Sequence, residues 1–194
     1  MRIVAGRHRG RKLEPPADRS IRPTSDRIRE AVFDILAHRL LAQGFAGLKV
    51  LDAFAGTGAM ALEALSRGAT RATLLDADGN AVRLIERNLK HLGETENALA
   101  LRRDAARPGP APLPHDLVFA DPPYRSGLAP AALAALARER WLEPGALVVL
   151  ELASDETPAP PAGFSEIDRR RYGGTAVAFW RWGQLASGIS SVSS

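Results

Sequence analysis

Short apolar segments alternate with helical ones through most of the chain. Three stretches, residues 58–67, 78–92 and 128–140, predict helices, and Gly68 and Gly93 are expected to end the first two. Five further segments are apolar for only a few residues and predict strands: LKVLDAFA, ATLLDA, ALALRRD, DLVFAD and GALVVLEL. Short buried strands that alternate with helices predict an α/β fold, with a mostly parallel sheet and helices on both faces.

The N-terminal part departs from this alternation. Residues 1–13 alternate loosely and contain two glycines, which predicts a small hairpin, and residues 14–23 are polar and contain proline, which predicts a connector. A helix is expected to begin near Thr24 or Ser25 and to end at Gly44, because apolar residues recur at helical spacing between them.

The C-terminal part predicts an antiparallel hairpin. The segments FSEIDRRRY and TAVAFWRW flank Gly173-Gly174, as expected for two strands that are joined by a tight turn. Residues 185–194 are rich in serine and glycine and predict a flexible tail. We therefore divide the chain into a basic hairpin and connector over 1–23, one domain over 24–184, and that tail.

The composition narrows the class of protein. A chain of 194 residues suits one domain with a small extension, and no apolar run approaches the length of a transmembrane helix. The N-terminus lacks the apolar stretch of a secretory signal, so we expect a cytoplasmic protein without membrane contact. Because cysteine is absent and the four histidines are scattered, we expect no disulfide and no metal site.

Positive charge is concentrated at the N-terminus. The formal net charge is +4, and the first dozen residues contain five cations and no acid: Arg2, Arg7, Arg9, Arg11 and Lys12. Because arginine binds phosphate oxygens through its planar fork, this segment is interpreted as a nucleic-acid-binding arm. A solvated, solubilising segment is the alternative, and the charge alone does not decide between the two.

A glycine-rich turn follows the first strand of the alternation. In Asp52-Ala-Phe54-Ala-Gly56-Thr-Gly58 the glycines let the backbone approach a ligand, and Asp76 ends the next strand twenty residues beyond Gly56. This spacing fits a dinucleotide site, in which such an acid binds the ribose diol. An ordinary turn between a strand and a helix is the alternative.

Two further acids favour a ligand other than NAD. Asp52 precedes the glycines, where its carboxylate would repel a pyrophosphate but attract an ammonium group. Asp104 follows the third strand, where it could accept a hydrogen bond from the exocyclic amine of adenine. With Asp76 they describe a ligand that has an amine, a ribose and an adenine but no phosphate, and S-adenosylmethionine has these parts.

The fourth strand runs into Asp121-Pro122-Pro123-Tyr124. This segment resembles the motif of methyltransferases that modify exocyclic amines. Such an amine is a poor nucleophile, so the enzyme must hold the nitrogen in line and accept hydrogen bonds from its protons. Asp121 offers a carboxylate, and the prolines restrict the backbone and remove competing donors. Tyr124 offers an aromatic face on which an extruded base can stack. A rigid turn without a catalytic role is the alternative.

The motifs DAFAGTG, LLDAD, RRDA and DPPY occur in this order, which resembles the Rossmann-like methyltransferases that modify exocyclic amines of bases. The opening RIVAGRHRGRKLEPP, the segment from Ile21 to Phe33 and the hairpin Arg171-Tyr-Gly-Gly-Thr resemble the RsmD family, which are small-subunit ribosomal RNA guanine-N2 methyltransferases. The resemblance extends to about Trp182 and implies a seven-stranded, mostly parallel sheet with an antiparallel C-terminal hairpin.

The resemblance also implies a role for each motif. Seven residues are expected to bind the cofactor, S-adenosylmethionine: Asp52, Phe54, Gly56, Gly58, Asp76, Asp104 and Ala105. The catalytic residues are expected to be Asp121, Pro122 through its backbone carbonyl, and Tyr124. The substrate RNA is expected to contact Arg7, Arg9, Arg11, Lys12, Arg22 and Thr24.

The activity that the resemblance implies is methylation of the exocyclic N2 amine of a guanine in 16S ribosomal RNA, expected to be guanine 966. The partner is then 16S rRNA or the assembled small ribosomal subunit, and we expect a monomer. Adenine-N6 methylation of RNA or DNA and glutamine-N5 methylation of a protein need the same acceptors and stay open. A non-enzymatic RNA chaperone also stays open.

Overall fold

A seven-stranded sheet forms the centre of the computed structural model, which describes residues 1–16 and 26–183. The strands are β1 (Lys49–Asp52), β2 (Arg71–Asp76), β3 (Ala98–Arg102), β4 (His115–Ala120), β5 (Leu142–Ala153), β6 (Phe164–Tyr172) and β7 (Thr175–Trp182). Their order is β3-β2-β1-β4-β5-β7-β6, and β7 runs antiparallel to both β5 and β6, whereas the other pairs are parallel. The predicted sheet and C-terminal hairpin are thus confirmed.

The helices within these residues are α1 (Asp26–Ile35), α2 (Ala59–Ser66), α3 (Gly79–Leu92) and α4 (Leu128–Arg138). A π-helical turn over Leu36–Leu40 extends α1, and Leu41 then adopts an extended conformation. The helix therefore ends before Gly44, contrary to our prediction, and Gly44 lies in the turn that follows. The expected start at Thr24 or Ser25 lies outside the described residues. None of these helices is long and apolar enough to cross a membrane.

The ends of α3 agree with the sequence prediction. The side chain of Asp78 accepts a hydrogen bond from the N–H of Asn80 at 2.8 Å, as an N-cap does. Gly93 adopts a left-handed conformation with φ of 75° directly after the last helical residue. These two caps fix where α3 begins and ends.

Hydrophobic residues pack on both faces of the sheet. On one face, α1, α2 and α3 cover side chains that include Val50, Leu74 and Phe119. On the other face, α4 covers side chains that include Leu51 and Val118. We refer to the three-helix face and the α4 face. Because successive residues of a strand point to opposite faces, each central strand contributes to both cores.

The N-terminal residues form the expected small hairpin. Arg2 and Lys12 pair as an antiparallel bridge, and the N–H of Ile3 donates to the carbonyl of Arg11 at 2.9 Å. Ile3 and Leu13 are buried in the core of the three-helix face. The hairpin therefore shares a core with the rest of the chain.

The tip of this hairpin lies at the C-terminal ends of α2 and α3. The N–H of Arg7 donates to the carbonyl of Ser66 at 2.8 Å, and a Cβ at Gly6 would collide with that carbonyl. The guanidinium of Arg11 donates to the last carbonyls of α3. Because α2 and α3 begin at the carboxyl edge of the parallel strands, the tip lies at the opposite end of both helices.

Candidate functional site

Carboxylates from four adjacent strands lie along the carboxyl edge of the sheet. Asp76 and Asp52 end β2 and β1, Asp121 follows β4, and Glu151 lies near the end of β5. The register of β4 against β5 pairs Ala120 with Leu150, so Asp121 and Glu151 are the next residues after neighbouring positions. Because side chains alternate along a strand, these acids belong to the three-helix face.

A cavity opens at this edge between the sheet, α1 and the loop that precedes α2. Its polar wall includes Asp52, Thr57, Asp121 and Glu151. The apolar part of its wall includes Met1, Val32, Phe54, Met60, Phe119, Val149 and Val177. Three carboxylates thus border one largely apolar space, which favours a ligand with positive charge or hydrogen-bond donors.

Asp52 is the most deeply buried of these acids, with 3% of its surface exposed. Burial raises the pKa of Asp52 to about 7; the N–H of Ala61, which donates to its Oδ2 at 3.2 Å, opposes this shift, and the charge of Asp76 adds to it. A buried carboxylate is stabilised in its charged form by a nearby cation. Asp52 therefore fits the ammonium group that the sequence predicted at this position.

Asp76 links the end of β2 to the glycine loop. Its Oδ2 accepts a hydrogen bond from the N–H of Gly56 at 2.9 Å, and its Oδ1 accepts one from the N–H of Asp78 at 2.9 Å. Each oxygen can accept a second hydrogen bond, so the fixed carboxylate suits a diol. Gly58 has a φ of 78°, and a Cβ there would lie 2.9 Å from Leu74, so the turn requires glycine.

Asp104 and Ala105 lie farther along the same edge and are not part of the cavity wall. The N–H of Arg103 donates to the carbonyl of Asp76 at 3.0 Å, which places the turn after β3 beside the end of β2. The side chain of Asp104 is 41% exposed and pairs with Arg107 at 3.2 Å, whereas Ala105 is buried. Asp104 follows β3 and Asp52 ends β1, so the two acids are separated by β2, as an extended ligand would require.

Tyr124 is held to β5 and β7 through its hydroxyl. The hydroxyl donates to Oε1 of Glu151 at 2.9 Å and lies 3.1 Å from Oγ1 of Thr175. Burial raises the pKa of Tyr124 to about 12, and the charge of Glu151 adds to the shift, so the hydroxyl keeps its proton and acts as a donor. The hydroxyl therefore ties Tyr124 to β5 and β7, three residues after Asp121. Asp121 lines the cavity, whereas Tyr124 and the buried Pro122 are not part of its wall.

The loop after β4 is also fixed at its far end. Arg125 has a φ of 57°, which is uncommon outside glycine. Its N–H donates to Glu156 at 2.8 Å, and its guanidinium pairs with Asp155 at 3.0 Å. Glu156 also accepts from the N–H of Ala153 at 2.9 Å, so this acid ties the loop to the end of β5 from outside the cavity.

The cations of the N-terminal hairpin differ in what they contact. Arg7 pairs with the buried carboxylate of Glu94 at 2.6 Å, and Arg11 donates to carbonyls at the end of α3. Within the described parts of the chain, Arg9 and Lys12 form no ion pair, and both are exposed. Met1 reaches the cavity and Lys12 pairs with the neighbouring Arg2, whereas Arg9 lies in the turn at the other end of the hairpin. Contact of Arg7, Arg9, Arg11 and Lys12 with RNA stays a prediction, and Arg22 and Thr24 lie outside the described residues.

Sequence reasoning did not identify Glu151 or Thr175. Glu151 is an acid within the otherwise apolar segment ALVVLELA, which is itself unusual for a central strand. Its position beside Asp121 depends on β5 being the neighbour of β4, and Thr175 depends on β7 lying on the other side of β5. The sequence showed the unusual acid Glu151, but it did not show that Asp121 and Thr175 lie near it.

The sheet with its reversed seventh strand defines the class of protein as Rossmann-like methyltransferases. Two solved structures illustrate the likeness. The Escherichia coli protein yhhF is 34% identical with a TM-score of 0.79, and the match covers 94% of this chain and 98% of that one. The hypothetical protein TTHA0928 of Thermus thermophilus is 33% identical with a TM-score of 0.72, and the match covers 92% and 98%.

Comparison of the sequence identifies the family within this class. A family model described as conserved hypothetical protein 95 matches residues 1–181. Ribosomal RNA small subunit methyltransferase D of Escherichia coli strain K12 is 37% identical over 98% of this chain and 93% of its own length. The Haemophilus influenzae protein of that name is 33% identical over 89% of each. The chain therefore belongs to the RsmD family.

Proposed function

We propose that this protein transfers a methyl group from S-adenosylmethionine to the N2 amine of a guanine in 16S rRNA, expected to be guanine 966. The observation that carries the proposal is the cavity at the carboxyl edge, where Asp121 of the DPPY segment lies with Asp52 and Glu151. Membership of the RsmD family supports ribosomal RNA as the substrate class.

The residues at this edge fit S-adenosylmethionine. Asp52 would hold the ammonium group, Asp76 the ribose diol and Asp104 the adenine amine, while Gly56 and Gly58 let the backbone approach. The buried charge of Asp52 disfavours a pyrophosphate at the same place, which argues against a dinucleotide. When bound, S-adenosylmethionine supplies an electrophilic methyl group.

Asp121 and Pro122 would act on the target amine. The lone pair of an exocyclic amine is delocalised into the base, and two acceptors that bind its two protons draw the nitrogen toward a tetrahedral geometry. The carboxylate of Asp121 is one acceptor and the carbonyl of Pro122 is the other. After methylation, the Asp121 carboxylate takes the excess proton from the nitrogen, directly or through water.

Tyr124 would support the base from its ring face. Aromatic side chains commonly stack on a base that has been turned out of its helix. The hydroxyl of Tyr124 is bonded to Glu151 and Thr175, so the ring is held in one orientation before the base arrives. A prearranged ring reduces the ordering that binding requires.

Ribosomal RNA would approach from the open side of the cavity. Arg9 and Lys12 are exposed on the hairpin and available to phosphates, whereas Arg7 and Arg11 are engaged with α3 and its following turn. Arg22 and Thr24 stay predicted RNA contacts. A monomeric state, the absence of a metal and a cytoplasmic location also stay predictions.

The proposal is tested by methylation of defined substrates. Purified protein is incubated with S-adenosylmethionine and either 16S rRNA, small subunits or DNA, and the nucleosides are separated by mass spectrometry. N2-methylguanosine in rRNA is the expected product. N6-methyladenosine would instead identify an adenine methyltransferase. Failure to bind S-adenosylhomocysteine in a calorimetric titration would argue against every methyltransferase activity and favour a non-enzymatic RNA chaperone.

A further inference from the structure

Glu151 is a second carboxylate beside the proposed catalytic acid. Ala120 of β4 pairs with Leu150 of β5. Asp121 and Glu151 are the residues that directly follow these two positions. Adjacent strands lie about 4.8 Å apart, so two carboxylates at equivalent positions can reach neighbouring atoms of one ligand. Both residues line the cavity at the carboxyl edge.

The carboxylate of Glu151 is held in a defined orientation. Its Oε1 accepts the hydroxyl of Tyr124 at 2.9 Å, and that hydroxyl also lies 3.1 Å from Thr175 of β7. Glu151 itself pairs with Val177 in the register of β5 and β7, and Val177 lines the same cavity. A carboxylate has two oxygens with two acceptor sites each, so it can accept the hydroxyl of Tyr124 and other donors at the same time.

The two carboxylates match one edge of guanine. The Watson–Crick edge of guanine presents its N2 amine and its N1–H as neighbouring donors, whereas adenine has an acceptor at N1. Enzymes that act on an extruded base read this edge through hydrogen bonds. A carboxylate that faces the N1 acceptor of adenine would be repelled, which gives discrimination as well as binding.

We propose that Glu151 is a specificity-determining residue that accepts the N1–H of the target guanine while Asp121 accepts from its N2 amine. The inference rests on the proposed function, because it presupposes that guanine enters the cavity. It assigns the choice of base to β5, whereas the DPPY segment supplies acceptors that suit any exocyclic amine.

The test uses an RNA in which 2-aminopurine replaces the target guanine. 2-Aminopurine keeps the N2 amine but has an acceptor at N1 in place of the N1–H. Wild-type protein should methylate guanine RNA with a kcat/KM at least about 10²-fold above that for 2-aminopurine RNA. In Glu151→Gln the amide can donate to the N1 acceptor, so the ratio should fall to about 10-fold or less.

Glu156→Gln is the matched control. Glu156 is an acid of the same type, it holds the backbone of Arg125, and it lies outside the cavity wall. This variant should keep the wild-type ratio between the two RNAs. Titration with S-adenosylhomocysteine should give the same affinity for wild type and Glu151→Gln, which separates base selection from a role of Glu151 in cofactor binding.

The outcomes separate this inference from the proposed function. If the wild type forms N2-methylguanosine but methylates both RNAs at similar rates, Glu151 does not read N1, and this conclusion needs no variant. If Glu151→Gln slows both RNAs by the same factor, Glu151 only positions Tyr124 and the inference is wrong. If no guanine is methylated at N2 under any condition, the proposed function is wrong, and the inference about Glu151, which depends on it, is wrong as well.

Discussion

The N-terminal hairpin and the carboxyl edge of the sheet are both rich in charge, but their charges are used differently. In the hairpin, Arg7 is paired with Glu94, and the N–H groups of Val4 and Ala5 donate to the buried carboxylate of Glu63 at 2.7 and 2.9 Å. At the carboxyl edge, by contrast, Asp52, which is the most deeply buried acid there, has no cation beside it in the described part of the chain.

The difference distinguishes charged groups that have partners within the protein from a buried charged group that has no cationic partner among the described residues. An acid with cationic and N–H partners has its cost of burial offset within the protein, whereas Asp52 has a pKa raised to about 7. Perturbed acids in a cavity are typical of functional sites. This contrast supports the proposal that the acids at the sheet edge bind the ligand, whereas Arg7 of the basic hairpin stabilises the fold.

The largest effect should come from Asp121. Asp121→Ala removes one of the two amine acceptors and should reduce single-turnover methyl transfer by at least about 10²-fold, the low end for a positioned acid–base group. Binding of S-adenosylhomocysteine, measured by calorimetry, should be unchanged. Asp155→Ala, which removes the exposed partner of Arg125, is the control and should keep most of the activity. If Asp121→Ala remains active, the DPPY segment is a rigid turn without a catalytic role.

Asp76 should have the next largest effect, and on the cofactor alone. Asp76→Ala removes the acceptor proposed for the ribose and should weaken binding of S-adenosylmethionine by about 1.5–3 kcal/mol, as expected for hydrogen bonds to a charged group. The same variant also frees the N–H of Gly56, so circular dichroism should confirm that it folds. Wild-type affinity in a folded Asp76→Ala protein would show that the ribose lies elsewhere.

The raised pKa of Asp52 predicts a pH-dependent cofactor affinity. Below pH 7 the carboxyl holds a proton that must leave before it can bind an ammonium group, so affinity should fall by up to about tenfold per pH unit. Above pH 8 the affinity should level off. Calorimetric titrations from pH 6 to 8.5 measure this profile, and Asp52→Asn should bind weakly at every pH.

The same group gives a prediction for stability. The folded pKa of Asp52 lies above its ordinary value of 3.8, so between that value and about 7 the folded state holds a proton that the unfolded state has released. Stability without ligand should therefore decrease as pH rises through this window. Asp52→Asn should raise the Tm near pH 8 more than near pH 5, and an equal change at both would contradict the assignment.

The smallest effects should distinguish the two kinds of cation in the hairpin. Replacing Arg9 and Lys12 by Gln should leave the Tm unchanged and weaken RNA binding, with the log–log salt slope shallower by about 0.7–0.9 per lost phosphate contact. Arg7→Gln should instead destabilise the protein by about 0.5–1.5 kcal/mol, because it removes one partner from buried Glu94, which keeps His8 and Asn97. An unchanged salt slope would favour a solubilising segment.

Local patterns in the sequence were sufficient for much of the fold. The strands and the caps of α3 follow from apolar periodicity together with Asp78 and Gly93, and the glycine turn follows from Gly56 and Gly58. These features are set by neighbours within a few residues. The end of α1 was missed because the π-helical turn over Leu36–Leu40 leaves no distinct mark in the apolar spacing.

Contacts between distant parts of the chain could not be predicted in the same way. Val4 and Glu63 are 59 residues apart, and Arg7 and Glu94 are 87 apart, so the sequence showed a basic segment but not its acidic partners. Glu151 likewise gained a role only through the order of the strands. Removing residues 1–13 would take Ile3 out of the core. Replacement of exposed cations is therefore a better test of RNA binding than deletion of the hairpin.

The central claim is that the acids at the carboxyl edge serve methylation of one guanine in 16S rRNA. The most direct measurement is mass spectrometry of 16S rRNA nucleosides, with the modified position mapped, from cells that lack this protein and from the same cells supplied with wild type or Asp121→Ala. The account predicts that N2-methylguanosine at one position is absent without the protein, returns with wild type and does not return with Asp121→Ala. An unchanged nucleoside profile, or full restoration by Asp121→Ala, would contradict it.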